Sequence, residues 1–195
     1  MPAGGFRWTW CAITRALPAI VAGVAFSLLA RADQVSICYN YDCAVKAEVV
    51  FDGRQLSQVR ELFREAKNAE AERKAISRVI GLFETFSGEQ TPTHNDKGGN
   101  AQDDGVDGRM DCLDHSHNTT AYLRLLERRG WLKYHKVLER VMRAPYLVDD
   151  HWAGHVVETQ TGQEYIVDSW FFDNGHPAAI FKLEDWKAGA SPDGY

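Results

Sequence analysis

Three residue types that together make an acyl-transfer site occur in the order Cys, His, Asp along this chain. Cys112 stands in "MDCLD", His151 and His155 in "HWAGHVVE", and Asp168 in "YIVDSW". A thiolate attacks a carbonyl carbon, an imidazole holds the thiolate and then protonates the leaving group, and a carboxylate fixes the imidazole tautomer. The three groups must meet in space, so the elements that carry them decide whether the chemistry is available.

Cys112, Ser116, Thr119, Leu123 and Leu126 recur at spacings of four and three, which puts them on one stripe of a helix that Gly130 is placed to stop. Cys112 then falls in the first turn, where the positive end of the helix dipole stabilises a thiolate. A buried, inert cysteine fits the same helix equally well. The stretch "HWAGHVVETQTGQEYIVDSWFF" reads as a hairpin turning near Gly162, and "WLKYHKVLERV" before it as a strand. His151 and His155 are four apart and share one face of their strand. Upstream, Leu56, Val59, Phe63 and Ala66, then Ile76, Val79, Ile80 and Phe83, give a helical period over 54–86, as one helix or as two meeting at Asn68. The charged faces of this region read as solvated surface, and "AVKAEVVF" reads as a short strand or the approach to a helix.

With 195 residues, 45% of them hydrophobic, the chain is long enough for one domain with a real core and short for two. Residues 1–32 read as an export signal: Arg7 and Arg15 precede the apolar run "ALPAIVAGVAFSLLA" (16–30), and Ala30-Arg31-Ala32 offers a small-x-small cleavage site. That run falls short of the ~20 residues that span a bilayer. The expectation is therefore a single domain over 33–195, periplasmic or secreted, with no stable membrane anchor after cleavage. Loss of residues 1–32 removes three arginines and no acid, and the net charge moves from −5 to −8. An acidic surface argues against nucleic acid as a partner. In an oxidising compartment thiols pair. Cys38 and Cys43, in "CYNYDC", are close enough to do so, and Cys112 is left as the odd thiol.

Residues 87–111, "SGEQTPTHNDKGGNAQDDGVDGRMD", lack apolar periodicity and read as a long loop. Asp103, Asp107, Gly108, Asp111 and Asp114 fall at the first, fifth, sixth, ninth and twelfth positions of a calcium-loop template, with Gly105 where a ligand belongs and Asp114 in place of the usual Glu. Calcium is the candidate ion. His94, Asp111, His115 and His117 offer a weaker zinc alternative, without the closed spacing of a structural site. Gln90, Asn100 and Gln102 precede the cysteine and are candidate oxyanion donors. Asp173 and Asn174 read as turn residues, and Trp170, Phe171, Phe172 and Trp186 as core or groove lining.

The order Cys, His, Asp on these elements resembles the transglutaminase-like branch of the papain-type superfamily, and more narrowly the bacterial transglutaminase-like cysteine proteinases. The resemblance covers about residues 90–172. "MDCLD" stands where that family has an acid, the catalytic Cys and further acids opening a helix, and "HWAGHVV" and "YIVDSW" resemble its His and Asp strands. It implies an α+β fold, N-terminal helices and a Cys-bearing helix packed on a small antiparallel sheet, and a catalytic set of Cys112, His151 and Asp168. It also implies calcium beside the cysteine, at Asp111 and Asp114. Leu113 departs from the pattern, because the family tends to carry an acid directly after the cysteine. The His-Trp pair 151–152 matches the start of the family's strand, whereas a tight turn at Gly162 would bring His155 nearer to Asp168; His151 is the residue chosen.

The expected function is an exported thiol-dependent hydrolase, peptidase or amidase, or an acyl transferase, acting on a protein or peptide and needing no cofactor for its chemistry. The alternative is a non-catalytic, calcium-stabilised binding domain with the same fold.

Overall fold

The computed structural model describes residues 1, 4, 32–99, 102–144 and 150–192. The expected export signal lies almost wholly outside the described residues, as does Asn100. The described chain opens with an antiparallel hairpin, β1 (Asp33–Tyr39) and β2 (Val45–Phe51), in which Asp33 faces Phe51 and Tyr39 faces Val45. Sequence reading reached only the second strand. In "DQVSICY" the neighbours Ile37 and Cys38 are both buried, so β1 lacks the alternation that marks a half-buried strand.

The turn between these strands is left-handed throughout: Asn40, Tyr41, Asp42 and Cys43 have φ of 67°, 62°, 52° and 56°. Such a backbone costs roughly 1–2 kcal/mol for each residue with a Cβ, so the turn must be held from outside. A Cys38–Cys43 disulfide, with Cα atoms 4.7 Å apart, closes it.

Two helices follow, α1 (Gly53–Glu65) and α2 (Ala69–Gly88). Asp52 and Gln55 form a capping box on the first, and Asn68 caps the second through Ala71 N–H, which is why the helical period breaks at Asn68. The charged face of α2 is not all solvated. Glu72 and Glu84 are 1% and 3% exposed. Glu72 accepts the backbone N–H groups of Lys133, Tyr134 and His135, and Glu84 accepts that of Gly175. Each is buried because it satisfies backbone donors elsewhere in the chain.

The long loop contains one short 3-10 turn, Pro92–Asn95, and ends at α3 (Cys112–Arg128). Asp111 caps α3 by accepting Asp114 N–H at 2.8 Å. At its far end Gly130 (φ 66°) bonds Glu127 O and Trp131 bonds Leu126 O, a Schellman arrangement that needs the left-handed glycine.

The expected strand over 131–141 is realised as two short ones, β3 (His135–Val137) and β4 (Val141–Arg143). They pair with opposite ends of one edge of β5 (His151–Glu158). Next come β6 (Glu164–Asp168) and β7 (Ala179–Lys182), all antiparallel, then a short helix, α4 (Leu183–Lys187). The β5–β6 hairpin turns at Gly162 (φ 74°), as its sequence requires. Helix α3 lies between the β1–β2 hairpin and β5, and its stripe of Ser116, Thr119, Leu123 and Leu126 is buried. Gly154 allows the close approach: a Cβ there would stand 2.7 Å from Thr119 Cγ2. The main core gathers Phe51, Phe83, Tyr122, Leu123, Val156 and Val167. A smaller cluster of Ala153, Ile166 and Trp186 fills the opposite face of the sheet. The fold is α+β, a cysteine-bearing helix on an antiparallel sheet. No helix among the described residues is long and apolar enough to cross a membrane.

Candidate active site

The position of the imidazole follows from strand register. Gly154 faces Val167 and His155 faces Ile166, which carries Asp168 to the level of Ala153, midway between the two histidines. A tight turn at Gly162 therefore does not favour His155. Strand twist brings one diagonal together, and both histidines lean the same way. His151 Nε2 meets Asp168 Oδ2 at 2.7 Å, while His155 Nε2 meets Glu164 Oε2 at 2.9 Å and its Nδ1 lies 3.3 Å from Glu139 O. His155 is committed away from Asp168.

Asp168 is 1% exposed and fully engaged. Its Oδ2 also accepts the indole N–H of Trp186 at 3.0 Å, and its Oδ1 the backbone N–H of Trp170 at 3.3 Å. Around the imidazole stand Trp170, Phe171 and Trp186, with ring centroids 4.9, 5.7 and 5.8 Å away. Burial in this aromatic box pushes the His151 pKa down. The hydrogen bond to Asp168 and the attraction of Asp168 and the Cys112 sulfur outweigh it, and the net result is a pKa raised to about 9. With Nε2 turned to Asp168, Nδ1 is the nitrogen left for the sulfur.

Cys112 is the first residue of α3, half-buried and free. Its thiol lies 3.9 Å from the backbone oxygen of Asp150, the residue before His151, and both hydrogen bonding and charge attraction between the sulfur and the imidazole contribute to the raised His151 pKa.

The acids beside the cysteine hold the left-handed turn. Asp114 accepts Tyr41 N–H and Cys43 N–H, both at 2.8 Å, and Asp111 accepts Asp42 N–H at 3.0 Å. Successive left-handed residues point their amides into a concavity that binds an anion, and Asp114 is that anion. Its burial, and the charge of Asp111, raise its pKa to about 6 against the pull of its amide donors. Asp103 and Asp107 are also engaged, Asp103 with Arg109 at 2.8 Å and Tyr41 OH at 2.6 Å, and Asp107 with Asn40 Nδ2 at 3.0 Å. These carboxylates do not fit a calcium cage, since their oxygens face N–H and O–H donors. Among the described residues, the only group of three or more His, Cys, Asp or Glu with ligand atoms all within 4.8 Å of one another is Cys38, Cys43 and His117, and its two sulfurs form the disulfide.

The zinc alternative is not assembled either. His94 Nδ1 lies against the carbonyls of Gly88 and Thr91. His115 is buried between Asp96 Oδ2 at 3.0 Å and Ser169 Oγ at 2.9 Å, with Glu84 at 3.7 Å. Burial lowers the His115 pKa, yet the two acids raise it to about 10. This pair ties the loop before the cysteine to the corner after Asp168. Gln90 bonds both backbone groups of Val50 and so closes the edge of β2 instead of serving Cys112. Nothing in the spacing announced Trp186 or Asp96 as partners of the site, because both contacts depend on chain folding back from a separate segment. No family model, no curated protein and no solved structure matches this chain.

Proposed function

We propose that the protein is an exported thiol enzyme acting on amide bonds of a protein or peptide, of the transglutaminase-like type. One observation carries the reading: an imidazole boxed by three aromatic rings, bonded to a buried carboxylate at 2.7 Å and left with one nitrogen for a thiol at a helix N-terminus. In the proposed reaction the Cys112 thiolate attacks the substrate carbonyl carbon, and the His151 imidazolium gives its proton to the leaving amine as the C–N bond breaks. Water or a second amine then attacks the thioester, its proton passing to His151, and the thiolate is regenerated. Asp168 keeps the proton-bearing Nε2 in place. The backbone N–H of Cys112, which has no acceptor among the described residues, is a donor for the developing oxyanion. The disulfide supports export, since such bonds persist in oxidising compartments.

Alkylation by iodoacetamide at pH 6 tests the reading. Cys112 should react far faster than a free thiol, which is almost wholly protonated there. An inert Cys112 in the folded chain would overturn it.

A further inference from the structure

An arginine without a carboxylate stands beside the helix of the proposed nucleophile. Arg140 donates Nη1 to Ser116 Oγ at 3.1 Å and reaches Leu113 O at 3.5 Å. Its guanidinium carbon lies 5.4 Å from the ring centre of Trp152. Ser116 is one helical turn from Cys112, and residues so spaced have Cβ atoms about 5–6 Å apart. Trp152 directly follows His151. The cation is thus anchored between the two elements that carry the thiol and the imidazole.

The helix dipole does not favour a cation there. The first turn of a helix is its positive end, where another positive charge is unfavourable. His117 on the same helix is already held below its ordinary pKa, by burial first and then by Arg140 and Lys46. Arg73, Arg109, Arg124 and Arg129 each pair with a carboxylate. Arg140 pairs with none among the described residues, in a chain whose 27 acids outnumber its 22 bases. A guanidinium has five N–H donors in a fork that matches a carboxylate, and only Nη1 is used here.

We infer that Arg140, seated on Trp152, forms a carboxylate-binding subsite flanking Cys112, so that the substrate carries an acidic group beside the scissile amide. The inference rests on Cys112 being the reactive thiol. Two sources share this chemistry, the side chain of Asp or Glu and a free C-terminal carboxylate.

Two pairs of alkylating probes test it in the folded chain. N-iodoacetylglycine and its amide differ only in a terminal carboxylate. N-iodoacetylisoglutamine and N-iodoacetylglutamine amide differ only in a side-chain carboxylate. In each case the Cys112 thiolate displaces iodide and forms a thioether, located by peptide mapping. The acid-to-amide rate ratio at low salt, divided by that for free cysteine, cancels any change in thiolate population. For at least one pair this ratio should be roughly tenfold, the size expected of a charged hydrogen bond, and which pair shows it identifies the source. Arg140→Gln should bring it back near one, and Arg140→Lys should keep part of it. A ratio near one for both pairs, or one that Arg140→Gln leaves intact, overturns the subsite. If instead the amide probes react with Cys112 no faster than with free cysteine, the thiol reading itself fails and takes the subsite with it.

Discussion

Trp186 donates its indole N–H to Asp168 Oδ2 at 3.0 Å, onto the same oxygen that holds His151 Nε2. A helix of one turn after the sheet thereby fixes the carboxylate that orients the imidazole. Trp186→Phe keeps an aromatic ring in the small cluster and removes this one bond. The expected cost is about 1.5–3 kcal/mol of stability, the range for a hydrogen bond to a charged group. Alkylation of Cys112 at pH 6 should slow severalfold, and by more in Asp168→Asn. A variant that loses stability but alkylates at the full rate would reduce Trp186 to packing.

The two histidines separate by what they bond: His151 holds Asp168, and His155 holds Glu164. His151 has its pKa raised to about 9 in the folded chain, against roughly 6.5 when unfolded. The stability gained from its imidazolium is fully present below about pH 6.5 and is lost as pH rises through about 9. The melting temperature of the wild type should therefore fall across that window. His151→Gln should flatten the curve and slow Cys112 alkylation at pH 6. His155→Gln should leave the alkylation rate largely as it is, because His155 is bonded to Glu164 and Glu139 and not to Asp168. The opposite assignment of effects would exchange their roles.

The left-handed turn makes a prediction about calcium. Asp111 and Asp114 spend their oxygens on the amides of Tyr41, Asp42 and Cys43. An ion taken up there would have to displace them. Thermal melts with chelator or with millimolar calcium should coincide, whereas Asp114→Ala should cost roughly 2–5 kcal/mol by leaving buried amides without acceptors. A calcium-dependent rise in melting temperature, absent in Asp114→Ala, would restore the ion-binding reading of these acids.

What the sequence revealed was local. The stripe from Cys112 to Leu126 and the turn at Gly162 are written in residue spacing, and the structure places α3 and the β5–β6 hairpin there. The nearness of Cys38 and Cys43 was legible for the same reason. Long-range partners were not. Glu72, Glu84 and Asp96 look like surface acids until chain 14 to 91 residues away supplies their donors. The choice between His151 and His155 hinged on which diagonal the strand twist closes, and no spacing rule states that. The acidic loop misled for a related reason, since its carboxylates match a metal template in spacing while their partners come from the turn at residues 40–43.

The contact between Gly154 and Thr119 sets how closely the cysteine helix approaches the histidine strand, and it can be altered by one carbon. A Cβ at Gly154 would meet Thr119 Cγ2 at 2.7 Å, Val167 O at 3.2 Å and Leu123 Cδ1 at 3.4 Å. Gly154 is three residues from His151, and Thr119 is two helical turns from Cys112. Gly154→Ala should therefore push α3 off β5, at a cost of about 1–3 kcal/mol for overpacking, and draw the sulfur away from the imidazole. Alkylation of Cys112 at pH 6 should fall along with the melting temperature. Thr119→Ser removes the clashing methyl while keeping the hydroxyl, which lies 3.3 Å from Ser169 Oγ. In the double variant both stability and reactivity should recover in part, a coupling of about 0.5 kcal/mol or more because the two residues touch. Additive losses would mean that the helix is held at its distance by something other than this contact, and that the glycine has another reason to be there.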